Sequence, residues 1–190
     1  VRSEQAAEAV RLAPWRADYR RDYAADLWDG GSTEVARQQL AVALRYAPAD
    51  ARLWLQYELQ LATDAPQDPL LLQAIARVDQ LAPAEPELQL AQADLAVQSW
   101  HRVGPPVRQA WLPSLRYVLA QDRDAFLVRS FRQGGESNLC LAAPELKLEQ
   151  WCSYAAAARM FCSRGELNPA QAQQCLQWGI LPGAAPGARP

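Results

Sequence analysis

The chain is poor in almost everything that carries reaction chemistry. Its 190 residues include one histidine, His101, and one lysine, Lys147. A lone histidine cannot supply a two-histidine metal site. A Ser-His-Asp arrangement would have to use it without a Gly-x-Ser-x-Gly elbow. His101 follows Trp100 at a helix end, where the helix dipole favours a cation, and a structural role accounts for it. No Walker loop, dinucleotide glycine motif or His-Glu-x-x-His pair occurs, and Gly30-Gly31 is only a glycine pair in a connector. Charge of one sign is lacking too. The formal net charge of -2 is spread along the chain without a like-charge block. That excludes a basic nucleic-acid footprint and a patch for anionic membranes. No apolar run approaches the roughly 18–20 residues that cross a bilayer. There is no signal peptide and residue 1 is valine, so the expectation is a segment of a longer product that has lost a leader or membrane anchor. The scarcity of lysine beside abundant arginine reads as drift in a GC-rich bacterial genome.

What is present is a repeated stop. Arg11-Leu12-Ala13-Pro14, Arg45-Tyr46-Ala47-Pro48 and Gln80-Leu81-Ala82-Pro83 each place Ala-Pro at the end of a helical run, with prolines 34 and 35 residues apart. Proline lacks an N–H and disfavours helix in the residue before it, so each helix pair ends at the same point. A fixed period of roughly 20–50 residues signals a solenoid. Within one period, small or apolar Ala24, Leu27, Ala36, Leu40 and Ala43 fall where two helices would touch, and Asp29-Gly30-Gly31-Ser32-Thr33 lies between them. Glycine suits the end of the first helix, and Ser32 or Thr33 can cap the second. The next period places Trp54, Tyr57 and Leu61 on its first helix and Leu71, Ile75 and Val78 on its second. Glu58 stands where a small residue is preferred, predicting looser packing there. A third helix begins at Pro86 and runs to about Trp100, and residues 3–12 read as the second helix of an earlier unit.

This pattern resembles the tetratricopeptide repeat (TPR) family over residues 3–103. The resemblance implies an all-α fold: a TPR-like α-solenoid of antiparallel helix pairs in residues 1–103, with a C-terminal helical cap in 104–180 and a flexible tail in 181–190. In such proteins the first helix of each pair lines a concave groove. That register assigns Asp18, Arg21, Asp22, Ala25 and Trp28 to the groove in one unit. Arg52, Leu55, Gln56 and Leu59 follow in the next, then Leu90, Asp94 and Val97. The binding candidates are therefore Arg21, Trp28, Arg52, Leu55, Gln56, Leu59 and Asp94. Such a groove suits an extended peptide, or a polar sugar with one ring stacked on Trp28; a solvated face is the bland alternative.

Gly104-Pro105-Pro106 ends the regular pattern. Beyond it, two helices are expected over "VRQAWLPSLRYVLAQD" (107–122) and "RDAFLVRSFRQGG" (123–135), the first interrupted at Pro113 and the second closed by Gly134-Gly135. Trp111, Trp151 and Trp178 lie on apolar stripes of cap helices. "PELKLEQWCSYAAAARMFCSRG" reads as one helix ending at Gly165. "NPAQAQQCLQWG" starts another, with Asn168 as N-cap, Pro169 first and Gln171 completing a capping box.

All four cysteines, Cys140, Cys152, Cys162 and Cys175, fall in this third. Cys152 and Cys162 share a helix at about 15 Å, too far to bridge. Cys162 can face Cys175 across the following hairpin, which leaves Cys140–Cys152. Of the three connectivities this is preferred. Zinc would want Cys-x-x-Cys pairs or histidines, and the twin Cys-x9-Cys hairpin matches only the middle spacing. Four free thiols in a cytosolic protein are the competing reading. An even, clustered count favours disulfides and an oxidising compartment, which for a bacterial chain is the periplasm.

The motifs at Arg11–Pro14 and Tyr46–Leu55, then Trp111–Leu119 and Asn138–Cys140, also resemble TPR proteins encoded beside bacterial exopolysaccharide or O-antigen polymerase and ligase genes. The resemblance implies a membrane-anchored, periplasmic accessory that scaffolds a partner protein. It carries no catalytic residue, metal or cofactor to transfer. Direct glycan binding by the same groove is the alternative, and glycan cleavage by Glu58 as general acid a distant third.

Overall fold

The structure is a computed structural model describing residues 2–163 and 167–178. The helix end expected at Gly165 and the tail 181–190 lie outside the described residues. The described chain is all-helical, with eleven helices: α1 (Arg2–Leu12), α2 (Ala17–Asp29), α3 (Thr33–Tyr46), α4 (Ala51–Asp64), α5 (Leu70–Leu81), α6 (Pro86–Ser99), α7 (Pro105–Arg132), α8 (Glu136–Leu141), α9 (Ala143–Leu146), α10 (Glu149–Cys162) and α11 (Pro169–Gln177). No helix among them is long and apolar enough to cross a membrane.

The Ala-Pro stops act as their chemistry requires. Ala47 and Ala82, which end α3 and α5, leave the helical region at φ -133°, ψ 65° and φ -142°, ψ 54°, as a following proline, which disfavours α backbone there, requires. Ala65 before Pro66 ends α4 in the same way, at φ -140°. Starts are set by side chains. Asp50 caps α4 by accepting from the backbone N–H groups of Arg52 and Leu53. Asn168 and Gln171 form the expected capping box on α11. Ser32 stands at the N-cap of α3 but makes no side-chain cap bond. Gly31 turns the chain there at φ +79°, a conformation glycine adopts freely.

Two helix expectations need correction. Pro113 does not interrupt α7, which continues through it because Trp111, Leu112, Ser114 and Leu115 are all buried around it. Pro113 itself faces solvent, so the carbonyl it leaves unpaired can be hydrated. The break falls at Asp122, the expected boundary between the two helices, at φ -151° and ψ 85°, where its carboxylate accepts from Ala125 N and restarts the helix. The single helix expected from Pro144 onwards is two. Lys147 adopts the left-handed region at φ 57°, separating short α9 from α10.

Pairs α2–α3, α4–α5 and α6–α7 pack side by side, and α4 also lies on α6 while α5 lies on α7. One hydrophobic core runs through them, from Ala24 through Leu40, Leu61 and Ile75 to Trp111, Leu127 and Leu148. A second, smaller core gathers Phe131, Ala155, Cys162 and Cys175. Two disulfides staple this end, Cys140–Cys152 and Cys162–Cys175, with Cα separations of 5.6 and 5.7 Å. The preferred connectivity is the one present.

Candidate functional site

The candidate groove residues divide by helix. On α2, Arg21 is half-buried and pairs with its neighbour Asp22, and Trp28 is partly buried against the main core. On α4, exposed Arg52 reaches Glu85 and Glu87 at the start of α6, at 3.6 and 3.4 Å. Leu55 and Gln56 are half-buried, and Leu59 is exposed to 41%. On α6, Asp94 is engaged from the other side by Arg129 of α7. Burial raises the Asp94 carboxyl above its usual range, opposed by that guanidinium. The stacking of α4 on α6 brings Arg52 to α6, whereas α2 packs chiefly on α1 and α3. Arg21, Arg52 and Asp94 therefore all hold carboxylate or guanidinium partners from the chain itself.

Glu58, where the sequence predicts looser packing, is tightly enclosed. It is 0% exposed, and each carboxyl oxygen meets one donor. Trp111 Nε1 donates to Oε1 at 2.7 Å, and Gln92 Nε2 to Oε2 at 3.0 Å. The Ser114 hydroxyl donates to Gln92 Oε1 at 2.6 Å and lies 3.5 Å from Asp79 Oδ1. Burial pushes the Glu58 carboxyl up to about 8 against the pull of its two donors, and the Asp79 charge raises it further. A raised carboxylic acid suits general-acid work only where substrate reaches it. Both oxygens here end in protein.

A different feature opens to solvent. The second half of α7, with α10 and α11, encloses an apolar cleft of about 520 Å³, lined by Leu127, Val128, Phe131, Trp151, Tyr154, Ala155, Ala157, Ala158, Phe161, Gln177 and Trp178. Five of these are aromatic, and Gln177 is the only amide side chain. Alanines at 155, 157 and 158 leave the volume; the rings of Phe161 and Trp178, edge-on at 6.4 Å, form one wall. Tyr154 is 65% exposed and Val128 48%, so the apolar surface extends beyond the cleft. Behind it, Arg159 stacks 4.8 Å over the Phe131 ring and its Nε meets Glu136 Oε1 at 2.6 Å, joining α7, α8 and α10. The Cys162–Cys175 bridge, itself fully buried, holds α11 against α10 at the cleft's far wall.

Sequence reasoning missed this cleft while noting its materials. Trp151 and Trp178 sit on apolar stripes, and "AAAA" at 155–158 marks a helix face without volume. Periodicity tells that a stripe is apolar, not whether another helix covers it. Among the described residues no cluster of three or more metal-ligating side chains occurs. Comparison with known proteins finds no matching family model, no matching curated protein and no matching solved structure.

Proposed function

We propose that the chain is a non-catalytic protein-binding module of the bacterial cell envelope, accessory to exopolysaccharide or O-antigen assembly or export, and that its helix pairs form a TPR-like solenoid. The observation that carries the binding role is the open aromatic cleft between α7, α10 and α11. Exposed contiguous apolar surface is costly in water, and on soluble domains it marks sites where another molecule docks. Aromatic side chains are the residues enriched at such contacts. The recurrent Ala-Pro stops and the stacking of α4–α5 on α6–α7 support the solenoid reading. The two disulfides support an oxidising, extracytoplasmic setting, which for this chain is the periplasm. The polysaccharide context rests on the sequence resemblance alone.

The cleft also weighs between the two binding readings. A sugar needs rings for stacking and many hydrogen-bonding groups for its hydroxyls. Around this cleft the rings are plentiful, but the polar side-chain groups among its lining residues are few: Gln177, the Tyr154 hydroxyl and the indole N–H groups of Trp151 and Trp178. That balance favours apolar anchors of a partner protein over a glycan.

The test places a photo-crosslinking amino acid at Tyr154, at Leu59 and at exposed Gln38 as control, in the source bacterium. A single adduct from position 154, identified as a polysaccharide-assembly protein and lost with Val128→Glu, is the expected result. No adduct at 154, or a specific adduct only at 59, would refute the cleft as the docking site. Equal adducts at all three positions would refute specific binding.

A further inference from the structure

The buried polar chain has a property that its heavy-atom positions define. Four helices meet at it: Glu58 from α4, Asp79 from α5, Gln92 from α6, and Trp111 with Ser114 from α7. No arginine, lysine or histidine joins. Among the described residues Asp79 is the charged group that acts on Glu58. The face of α6 is neutral Gln92, and α7 offers an indole and a hydroxyl. On α3, Glu34 and Arg37 act on the neighbouring Tyr57 and pair with each other. A carboxylate here would be buried with two hydrogen bonds and no counter-charge.

The alternative is consistent with the same positions. An indole N–H only donates, so Oε1 must stay an acceptor and a proton on Glu58 belongs on Oε2. That O–H needs an acceptor, and turning the Gln92 amide presents its oxygen. The Gln92 NH₂ then donates to the Ser114 oxygen, and the Ser114 hydroxyl turns to Asp79. Every group keeps a partner, and the negative charge sits on half-buried Asp79 rather than on fully buried Glu58.

We propose that Glu58, Gln92, Ser114 and Asp79 form a proton-sensitive clasp. One proton on Glu58 sets the direction of the whole hydrogen-bond chain and holds α4, α6 and α7 together at and below neutral pH. Loss of that proton reverses the chain, leaves an uncompensated buried carboxylate and weakens the same three-helix junction. The sign of the pH dependence follows. The folded carboxyl is raised from the ordinary 4.5 to about 8, so the stability tied to the proton is full below about pH 4.5 and lost as pH rises through about 8.

Two measurements on the intact, disulfide-bonded chain test the clasp. Urea unfolding is followed from about pH 5 to pH 9.5 for the wild type, Glu58→Gln and Asp79→Asn. The amide introduced by Glu58→Gln reproduces the neutral arrangement, accepting from Trp111 and donating to Gln92. Relative to Glu58→Gln, the wild-type folding constant should fall roughly tenfold per pH unit through the interval between the two ionisation midpoints, then level off. In Asp79→Asn, removal of the neighbouring charge should move the levelling to lower pH. A wild-type curve parallel to that of Glu58→Gln would overturn the proposal. Should Glu58→Gln not fold, infrared spectra of wild-type protein carrying ¹³C-labelled glutamate decide alone. A protonated carboxylic-acid band at neutral pH that disappears on alkalinisation is expected. A spectrum of carboxylates only would overturn the clasp.

Discussion

The indole of Trp111 and the carboxyl of Glu58, 53 positions apart, meet in a 2.7 Å hydrogen bond with neither group open to water. Among the described residues Trp111 is also the largest fully buried side chain, so this one contact joins the apolar core to its polar chain. Trp111→Phe keeps most of the ring and removes the donor. The expected cost is about 1–3 kcal/mol, that of an unsatisfied buried acceptor, with lost volume adding to it. Because Trp111 donation favours the ionised form of Glu58, the cost should grow as pH rises through about 8. Denaturant unfolding of both proteins on either side of that pH measures it.

The two disulfides differ in access. Cys162 and Cys175 are fully buried, whereas Cys140 and Cys152 are partly exposed. Limiting reductant should therefore open Cys140–Cys152 first, as read by alkylation and peptide mapping. Removing Cys162–Cys175 by paired Cys→Ala substitution should cost about 3 kcal/mol for a loop of this size. It should also free α11, and the test is a shift of Trp178 emission to longer wavelength. Unchanged emission would show that α11 is held by packing alone.

Gly135, at the head of α8, lies against Val97 of α6. A Cβ there would overlap Val97 Cγ1 and lie 3.3 Å from the Ser130 carbonyl oxygen. Gly135→Ala should destabilise by about 1–3 kcal/mol through overpacking, and Val97→Ala in the same chain should recover part of it. Gly31→Ala has open space around the added carbon and suffers only from φ +79°, for a cost of about 1 kcal/mol. Melting temperatures of the three variants separate steric from backbone effects.

Two helix starts that look alike in sequence should respond differently. Asp50 accepts two backbone N–H bonds at the head of α4, so Asp50→Ala should cost about 1 kcal/mol. Ser32, in the same position before α3, makes none, and Ser32→Ala should leave stability nearly unchanged. Equal losses in denaturant unfolding would contradict the capping geometry.

Local chemistry made much of this fold legible. The stops at Ala13-Pro14, Ala47-Pro48 and Ala82-Pro83 constrain their own neighbours, so helix ends could be read where they fall. The Asn168 capping box is likewise complete within four residues. Cysteine pairing followed from reach along one helix and across one hairpin. Pro113 was misjudged because a local penalty of a few kcal/mol yields to a helix anchored by buried residues on both sides. The break at Lys147 has no comparable local marker.

The candidate site was less legible because exposure is a relation between elements. Leu127, Phe131, Trp151 and Phe161 have the apolar spacing of ordinary core residues, and nothing in their own segment says that their shared face lacks a covering helix. Glu58 shows the converse. Read alone, a charged residue on an apolar helix belongs at the surface, and only Trp111, Gln92 and Ser114 arriving from distant segments make its burial tolerable.

Periodicity, proline placement and cysteine spacing, acting over a few to some tens of residues, were thus enough to determine an all-helical chain, its main stops and its covalent staples. Which apolar face stays open and where the buried carboxyl finds its donors were decided only when α4, α6, α7, α10 and α11 came together. Burial and hydrogen bonding depend on distances between segments that the linear order does not contain.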